Sequence, residues 1–433
     1  MLVKNPGNDP AQRPVPARSD ITQESLVERV LESPASVLQV RPLYQPIVDL
    51  GADSVVGAEA LARWPHAPGV DPSLVIERSR ALGRVSEVDR ACRNAALDTV
   101  TSLGYLDDGM TIFVNVEPDA LIDRPPDSGN IFDTSTSGLR VVLELTERAL
   151  LGNPAQLLNV VADARHRGLG IALDDVGRNA DSLTLLSLIA PDVVKLDGTL
   201  IAGSPNHEQL HIIMAVSAYA EATGAVILAE GIETEAHLQR AVDLGATLGQ
   251  GWLLGRPAEL PPTRWPPVPA GRRVHLSGNP LHIPAKPSDL LDADPPRTAT
   301  RPVLVRYSHY FEEQALASGE PLTILANFQQ AVHFTGADQQ RYGELAASNS
   351  LVAVVAVDMP TEPAPGVRGT AIPNDHPLAR EWTVIVLGRH FFAALIAFDP
   401  GPEDGTDREY TYAITHDRLT VVAAARALLQ HLG

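Results

Sequence analysis

Between residues 59 and 250 the chain repeatedly ends an apolar run on a side chain able to hold a cation or a proton. Glu59 stands in GAEALARW, Asn115 in FVNVEP, Glu144 and Glu147 in ELTE, Asp174 and Asp175 in LDDVG, Glu230 in VILAEG and Gln250 in LGQGWLLG. A lysine, Lys195 of VVKLD, falls at the same kind of position. Carboxylates gathered in one place repel and raise each other's pKa unless cations lie among them. Oxygen donors favour Mg²⁺ or Mn²⁺, and a set without histidine disfavours zinc. Adjacent aspartates can share a pair of such ions only where a strand is ending and alternation relaxes. Paired ions activate water and clamp a phosphoryl centre. Any one of these residues reads equally well as a solvated strand end or a cap, and Thr146 and Thr234 are natural N-caps. As a set, they require one end of several strands to carry acid by coincidence.

The elements that must position them alternate. Strand-like runs occur at TIFVNV (111–116), LRVVLEL (139–145), LGIALD (169–174), PDVVKLD (191–197) and AVILAE (225–230), with helix-like segments between most of them. That spacing is the βα unit of a parallel sheet or barrel, and in a (β/α)8 barrel the carboxyl ends of parallel strands converge on one face. The fold expected is therefore α/β, a TIM-like (β/α)8 barrel followed by a second, smaller α/β domain. Residues 1–20 read as a flexible tail, and ITQESLVERVLES as a helix with Ile21, Leu26, Val27 and Val30 on one face. Prolines crowd residues 255–273, which no helix interior or central strand tolerates. The barrel is accordingly placed at 21–262, a Pro-rich linker acting as a semi-rigid spacer at 263–284, and the second domain at 285–433. In that domain LVRYSHYFEEQAL, NFQQAVHF and ADQQRYGELA read as helical. LVAVVAV, WTVIVLG and FFAALIAF read as strands, and DRLTVVAAARALLQHLG as a closing helix.

Composition narrows the function classes. The chain has 433 residues, 44% hydrophobic and 20% charged, ordinary for soluble globular protein. Its single cysteine, Cys92, rules out an internal disulfide framework and suits a reducing compartment. No apolar run is long enough to span a membrane and the N-terminus lacks the apolar centre of a signal peptide, so a cytoplasmic location is expected. A formal charge of −19 argues against binding a nucleic-acid polymer, which needs a basic surface.

From about residue 36 to 260 the chain resembles the EAL-domain cyclic di-GMP phosphodiesterases. YQPIVDL, GAEALARW with Glu59, Ala60 and Leu61, FVNVEP, ELTE, LDDVG, VKLD, AEGIE and GQGWLLGRP come in that family's order. The resemblance implies hydrolysis of cyclic di-GMP to linear pGpG with Mg²⁺ or Mn²⁺ at a two-metal site. It implies that Glu59, Asn115, Glu144 and Asp174 ligate one ion, and that Asp175 completes a second site bridged by Asp174. Lys195 would hold the attacking water or the phosphate. Glu230 would be a ligand or general base, and Gln250 would assist the metal–water shell or the substrate. Gln45, Leu61 and Arg63 would contact the dinucleotide, and Glu147 would anchor the loop after the paired aspartates. A homodimer through the barrel is implied as well. The loop departs from the family's usual D-D-F-G-T-G-Y-S-S-L: here DDVGRNADSL carries Val176, Arg178, Asn179, Ala180 and Asp181. The rival reading is a catalytically weak or silent cyclic di-GMP receptor acting through protein contacts, and a plain interaction scaffold is a third.

Two other motifs carry less. HEQLH, His207 to His211, satisfies H-E-x-x-H, but Glu230 sits in a strand pattern where such a peptidase needs a second helix. GQGWLLG opens no helix of a βαβ unit. The C-terminal part resembles the DICT sensory domain through NFQQAVHFTGADQQRYGELA, HPLAREWTVIVLG and YTYAITHDRLTVVAAARALL. This implies a regulatory input and a possible signalling partner. Trp382, Phe328, Tyr342 and His416 read there as core and turn residues.

Overall fold

A computed structural model describes residues 22–32, 38–104, 109–117, 120, 138–146, 152–178, 182–261, 265–293, 297–388, 391–399 and 409–432. The tail at 1–20, Ile21, Glu147 and the loop positions Asn179, Ala180 and Asp181 lie outside them.

Strands β1 (Leu43–Asp49), β2 (Ser54–Leu61), β3 (Thr111–Asn115), β4 (Arg140–Leu145), β5 (Gly170–Val176), β6 (Val193–Leu196), β7 (Val226–Ala229) and β8 (Leu248–Gly249) close in that order into a barrel. The strands from β2 to β8 are parallel, as the barrel expectation has them, while β1 runs antiparallel to both β2 and β8. The cause is local. Only four residues separate β1 from β2, too few for a crossover. Asp49 Oδ1 accepts from the N–H groups of Gly51 and Ala52 and closes a turn there. The reversal brings Gln45, near the start of β1, directly opposite Glu59, near the end of β2.

Helix α1 (Gln23–Leu31) buries Leu26, Val27 and Val30 in a cluster with Trp64, Val75 and Val88. Helices α2 (Pro72–Ala81), α3 (Val85–Ser102), α4 (Pro154–His166), α5 (Ser182–Ile189), α6 (His207–Thr223) and α7 (Glu235–Asp243) connect the strands. Strands covered on both faces read as continuous apolar runs, as in Val141, Val142 and Leu143 of β4, all buried.

The second domain contains β9 (Arg297–Thr300), α8 (Arg301–Ala317), β10 (Thr323–Gln330), α9 (Gly336–Ala346), β11 (Leu351–Val357), β12 (Arg368–Ile372), β13 (Glu381–Leu387), β14 (Phe392–Phe398), β15 (Glu409–Thr415) and α10 (Arg418–Leu429). Its mixed sheet has the order β12-β11-β10-β13-β14-β15-β9. NFQQAVHF, expected as helix, is instead the end of β10 followed by a 3₁₀ turn, Ala331–His333. Pairing of Asn327 with both Val355 of β11 and Thr383 of β13 overrides the polar composition of that stretch.

The Pro-rich join is not a free spacer. Arg140 donates to the Val274 carbonyl at 2.6 Å, and the Ser277 N–H donates to Asp192 Oδ1 at 2.8 Å, so the join lies along the barrel. Helix α10 packs on the second domain's sheet and also on α4 and α5. A single apolar cluster includes Leu186 and Ile189 of the barrel, Val421 and Leu428 of α10, and Leu325 and Ile385 of the sheet. Arg426 of α10 donates to the carbonyls of Leu188 (2.9 Å), Ser187 (3.0 Å) and His282 (3.2 Å).

Candidate active site

Lys195 lies on β6 with its side chain 1% exposed, and the sequence-derived carboxylates converge on its ammonium. Nζ is 2.6 Å from Glu144 Oε1, 2.8 Å from Glu230 Oε1, 3.0 Å from Asp174 Oδ1 and 3.5 Å from Glu59 Oε2. Burial alone would lower the lysine's pKa, but the charges of Asp174, Glu144, Glu230 and Glu59 hold it well above the usual value. Burial and the neighbouring Glu59 charge push Glu144 well up. Burial likewise pushes Glu230 up to about 8, against the pull of Lys195. Burial opposes the charge of Glu59 too. There Lys195 and the hydrogen bonds from Gln250 and Asn115 prevail, and its pKa falls below the ordinary range.

The amides fix Glu59. Asn115 Nδ2 donates to Glu59 Oε1 at 3.1 Å, and Gln250 Nε2 to Glu59 Oε2 at 2.7 Å and to Gln45 Oε1 at 3.2 Å. Gln45 Nε2 in turn donates to the Gly255 carbonyl at 3.1 Å. Gly251, which follows Gln250, must be glycine: a Cβ there would stand 2.2 Å from the Ile232 carbonyl oxygen. That close approach fixes the chain beside Gln250.

The paired aspartates diverge because β5 is irregular where they sit. Its register with β6 shifts between Leu173 and Val176, and Asp175 has φ +56°, a left-handed conformation uncommon outside glycine. Asp174 therefore turns to Lys195 while Asp175 turns to Arg178. Burial and then the charge of Asp174 raise the pKa of Asp175. Arg178 reaches Asp175 Oδ2 at 3.3 Å and Asp197 Oδ2 at 3.1 Å.

A cavity of about 550 Å³ opens beside this cluster, with Glu59, Leu61, Arg63, Asn115, Asp175 and Arg178 on its wall. Gln45 and Gln250 are not on that wall: Gln250 holds the Glu59 carboxylate, and Gln45 accepts from Gln250. The sequence did not single out Asp197, Asp89 or Arg93. Asp197 caps a 3₁₀ turn through the Thr199 N–H and takes the second bond from Arg178. Asp89 and Arg93, a buried pair on α3 that also lines the cavity, hold the exit of β3 through the Glu117 N–H. Their i,i+4 spacing of opposite charges on a helix was the available signal.

Among the described residues no three acidic, histidine or cysteine side chains surround a common cation position; the carboxylates close on Lys195 instead. Two buried oxygens, Glu144 Oε2 and Gln250 Oε1, have no hydrogen-bond partner among the described residues. Such acceptors fit the oxygen ligation of a hard divalent cation. The H-E-x-x-H histidines sit elsewhere, exposed on α6 with their Nε2 atoms 2.9 Å apart, while Glu230 faces Lys195. No helix among the described residues is long and apolar enough to cross a membrane.

Residues 30–257 match the EAL domain, and residues 288–400 match the sensory domain found in diguanylate cyclases and two-component systems, DICT. The chain is 30% identical over 220 residues to the cyclic di-GMP phosphodiesterase RocR of Pseudomonas aeruginosa, covering 49% of this chain and 56% of that one. It is 28% identical over 252 residues to the cyclic di-GMP phosphodiesterase NbdA of the same organism, covering 55% and 31%. A Klebsiella pneumoniae BlrP1 complex with manganese and cyclic di-GMP superposes with a TM-score of 0.45 at 27% identity, over 51% of this chain and 56% of that one. The chain thus spans about half or less of the length of these curated relatives. With its matched segment taking in the whole strand-end carboxylate cluster, the chain belongs to the EAL-domain family and carries a DICT domain after the barrel.

Proposed function

We propose that the chain is a metal-dependent phosphodiesterase that opens cyclic di-GMP to linear pGpG, acts as a homodimer through the barrel and is regulated by its DICT domain. The observation that carries the reading is the convergence of Glu59, Glu144, Asp174 and Glu230 on Lys195 beside a cavity lined by Leu61, Arg63 and Asn115. The names of the related phosphodiesterases support it.

Glu59, Asn115, Glu144 and Asp174 would hold one Mg²⁺ or Mn²⁺, and Asp174 with Asp175 a second. When bound, such ions supply an activated water and neutralise charge on the phosphoryl oxygens. Lys195 places a fixed positive charge where negative charge develops on the phosphoryl group. Glu230 is the most open of the lysine's partners, 22% exposed, and from that position would take the proton of the attacking water. Arg63 and Leu61 hold the dinucleotide at the cavity wall, while Gln45 and Gln250 keep Glu59 in orientation.

Regulation would run through α10. Arg426 binds the last carbonyls of α5, and α5 follows the segment that carries Asp175 and Arg178, so a shift of α10 reaches that segment. The alternative, a weak or silent receptor, is favoured by one contact: Arg178 already neutralises Asp175. Incubation of the purified chain with cyclic di-GMP and Mg²⁺ or Mn²⁺, with separation of products, decides between them. pGpG that forms only with metal supports the enzyme, and binding without turnover supports the receptor. Light scattering during chromatography reads the dimer.

A further inference from the structure

We propose that the DICT domain holds a binding site for a small, uncharged, planar heteroaromatic molecule between α8, the start of α9 and strands β10 and β13. The inference is independent of the barrel's activity. A cavity of about 270 Å³ lies there, at the lower edge of the ~300–1,000 Å³ usual for ligand pockets, which suits a ligand of one or two rings.

Helix α8 presents Val305, Ser308, His309 and Glu312 to the cavity, an i, i+3, i+4, i+7 face. Ser308 is 4% exposed, and its Oγ has no hydrogen-bond partner among the described residues. A buried hydroxyl left without a partner is costly, and a ligand atom in the cavity would satisfy it. Opposite stand Phe328 and Trp382, one position beyond the Asn327–Thr383 pair of the sheet. Both are half-buried, whereas Tyr342 is fully buried. Edge-to-face contacts with Phe334 and Tyr342 hold the Phe328 ring, and Trp382 rests on Tyr410, so two aromatic surfaces are fixed at the cavity.

The backbone here is strained as well. Gln329 is a buried residue on the cavity wall with φ +63°, at the point where the register of β10 with β11 slips. Non-glycine residues held in this region cluster at ligand clamps and switches. Charge decides the ligand class. Arg341 is already paired with both Glu312 and Asp338, and Arg301, the other guanidinium on the wall, is exposed to solvent, so neither calls for a buried anion. Burial and the Arg341 charge lower the pKa of His309, which leaves a neutral imidazole to exchange hydrogen bonds with a ring nitrogen.

The test uses the full chain with indole, benzoate and benzylamine as uncharged, anionic and cationic probes, read by saturation-transfer NMR and by titration. Indole should bind saturably and about tenfold more tightly than either charged probe, the discrimination expected for a site whose buried charges are paired. Ser308→Val should weaken indole by about tenfold, the loss of one hydrogen bond. Val305→Phe should abolish binding by filling the cavity, and it decides the matter if Ser308→Val fails to fold. Absence of saturable indole binding, tighter binding of benzoate or benzylamine, or unchanged indole affinity in the folded variants overturns the proposal.

Discussion

Lys195 Nζ stands 2.6 Å from Glu144 Oε1, with the two side chains 1% and 0% exposed. Neither charge has solvent to fall back on. Removing one partner of a buried pair leaves the other uncompensated, at a cost of about 3–5 kcal/mol. In metal-free protein Lys195→Ala is therefore expected to lower unfolding free energy by about that amount, measured by urea denaturation. Mg²⁺ or Mn²⁺ should restore part of the loss by replacing the missing positive charge. If the lysine serves the transition state, the turnover of the folded variant falls far more than its affinity for cyclic di-GMP. Equal losses in rate and affinity would make Lys195 a uniform binding residue.

Glu59 accepts from both Asn115 and Gln250 and lines the cavity without filling core volume. Glu59→Ala should leave the barrel folded with a lowered unfolding midpoint, since the Asn115 and Gln250 amides lose their acceptor, and reduce hydrolysis by about a hundredfold or more, as removal of a key electrostatic group does. Comparable rates at matched metal would remove Glu59 from the site.

Arg178 is bonded to Asp175 and Asp197 in a pair whose arginine is 61% exposed, a contact worth at most about 1 kcal/mol. Arg178→Ala should raise the affinity of the Asp175 side for Mn²⁺ by up to about fivefold, because a cation no longer competes with a fixed positive charge. Calorimetric titration of Mn²⁺ without dinucleotide reads this directly. An unchanged isotherm would mean that Asp175 takes no part in holding the ion. Restoring the family-like loop at Val176, Arg178, Asn179, Ala180 and Asp181 should raise turnover for the same reason.

The alternation of apolar runs and helical stretches was legible because strands buried on both faces leave an unbroken apolar signature. The ends of those runs then named the residues that meet at Lys195. What was not legible depended on pairing. β1 looks like any other strand, and only the short turn closed by Asp49 makes it run the opposite way. NFQQ carries no strand signature of its own and becomes strand because β11 and β13 flank it. Arg178 was visible as an oddity in the loop, but its bond to Asp197 required knowing that β5 and β6 are neighbours.

Glu381 opens β13 with its side chain fully buried and accepts from the Ser288 N–H. Burial pushes its pKa up to about 7, against the pull of Ser288 and Lys286. A carboxyl that holds its proton more tightly when folded stabilises the fold below its unfolded pKa, near 4.5, and that stabilisation disappears as pH rises through about 7. The shift corresponds to about 3 kcal/mol across the window. Urea unfolding at pH 5, 6, 7 and 8 should show the parent losing more stability than Glu381→Gln as pH rises. Parallel profiles would refute the assignment.

The position of a truncation should matter more than a free spacer between domains would allow. Cutting after residue 270 removes the Val274 carbonyl that takes Arg140 and the Ser277 N–H that satisfies Asp192, itself paired with Arg165 in the barrel core. Cutting after residue 285 keeps both. Either cut strips α10 from α4 and α5 and exposes the apolar cluster that contains Leu186 and Ile189. The expected order of thermal stability is full chain, then 1–285, then 1–270, with binding of a hydrophobic dye rising in the same order as apolar surface is uncovered. Arg426→Ala in the full chain should loosen the same interface while sparing the join. If it alters metal-dependent hydrolysis with an unchanged barrel unfolding midpoint, α10 transmits a signal. Equal stability of both truncations and the full chain would show instead that the barrel is independent of everything after residue 270.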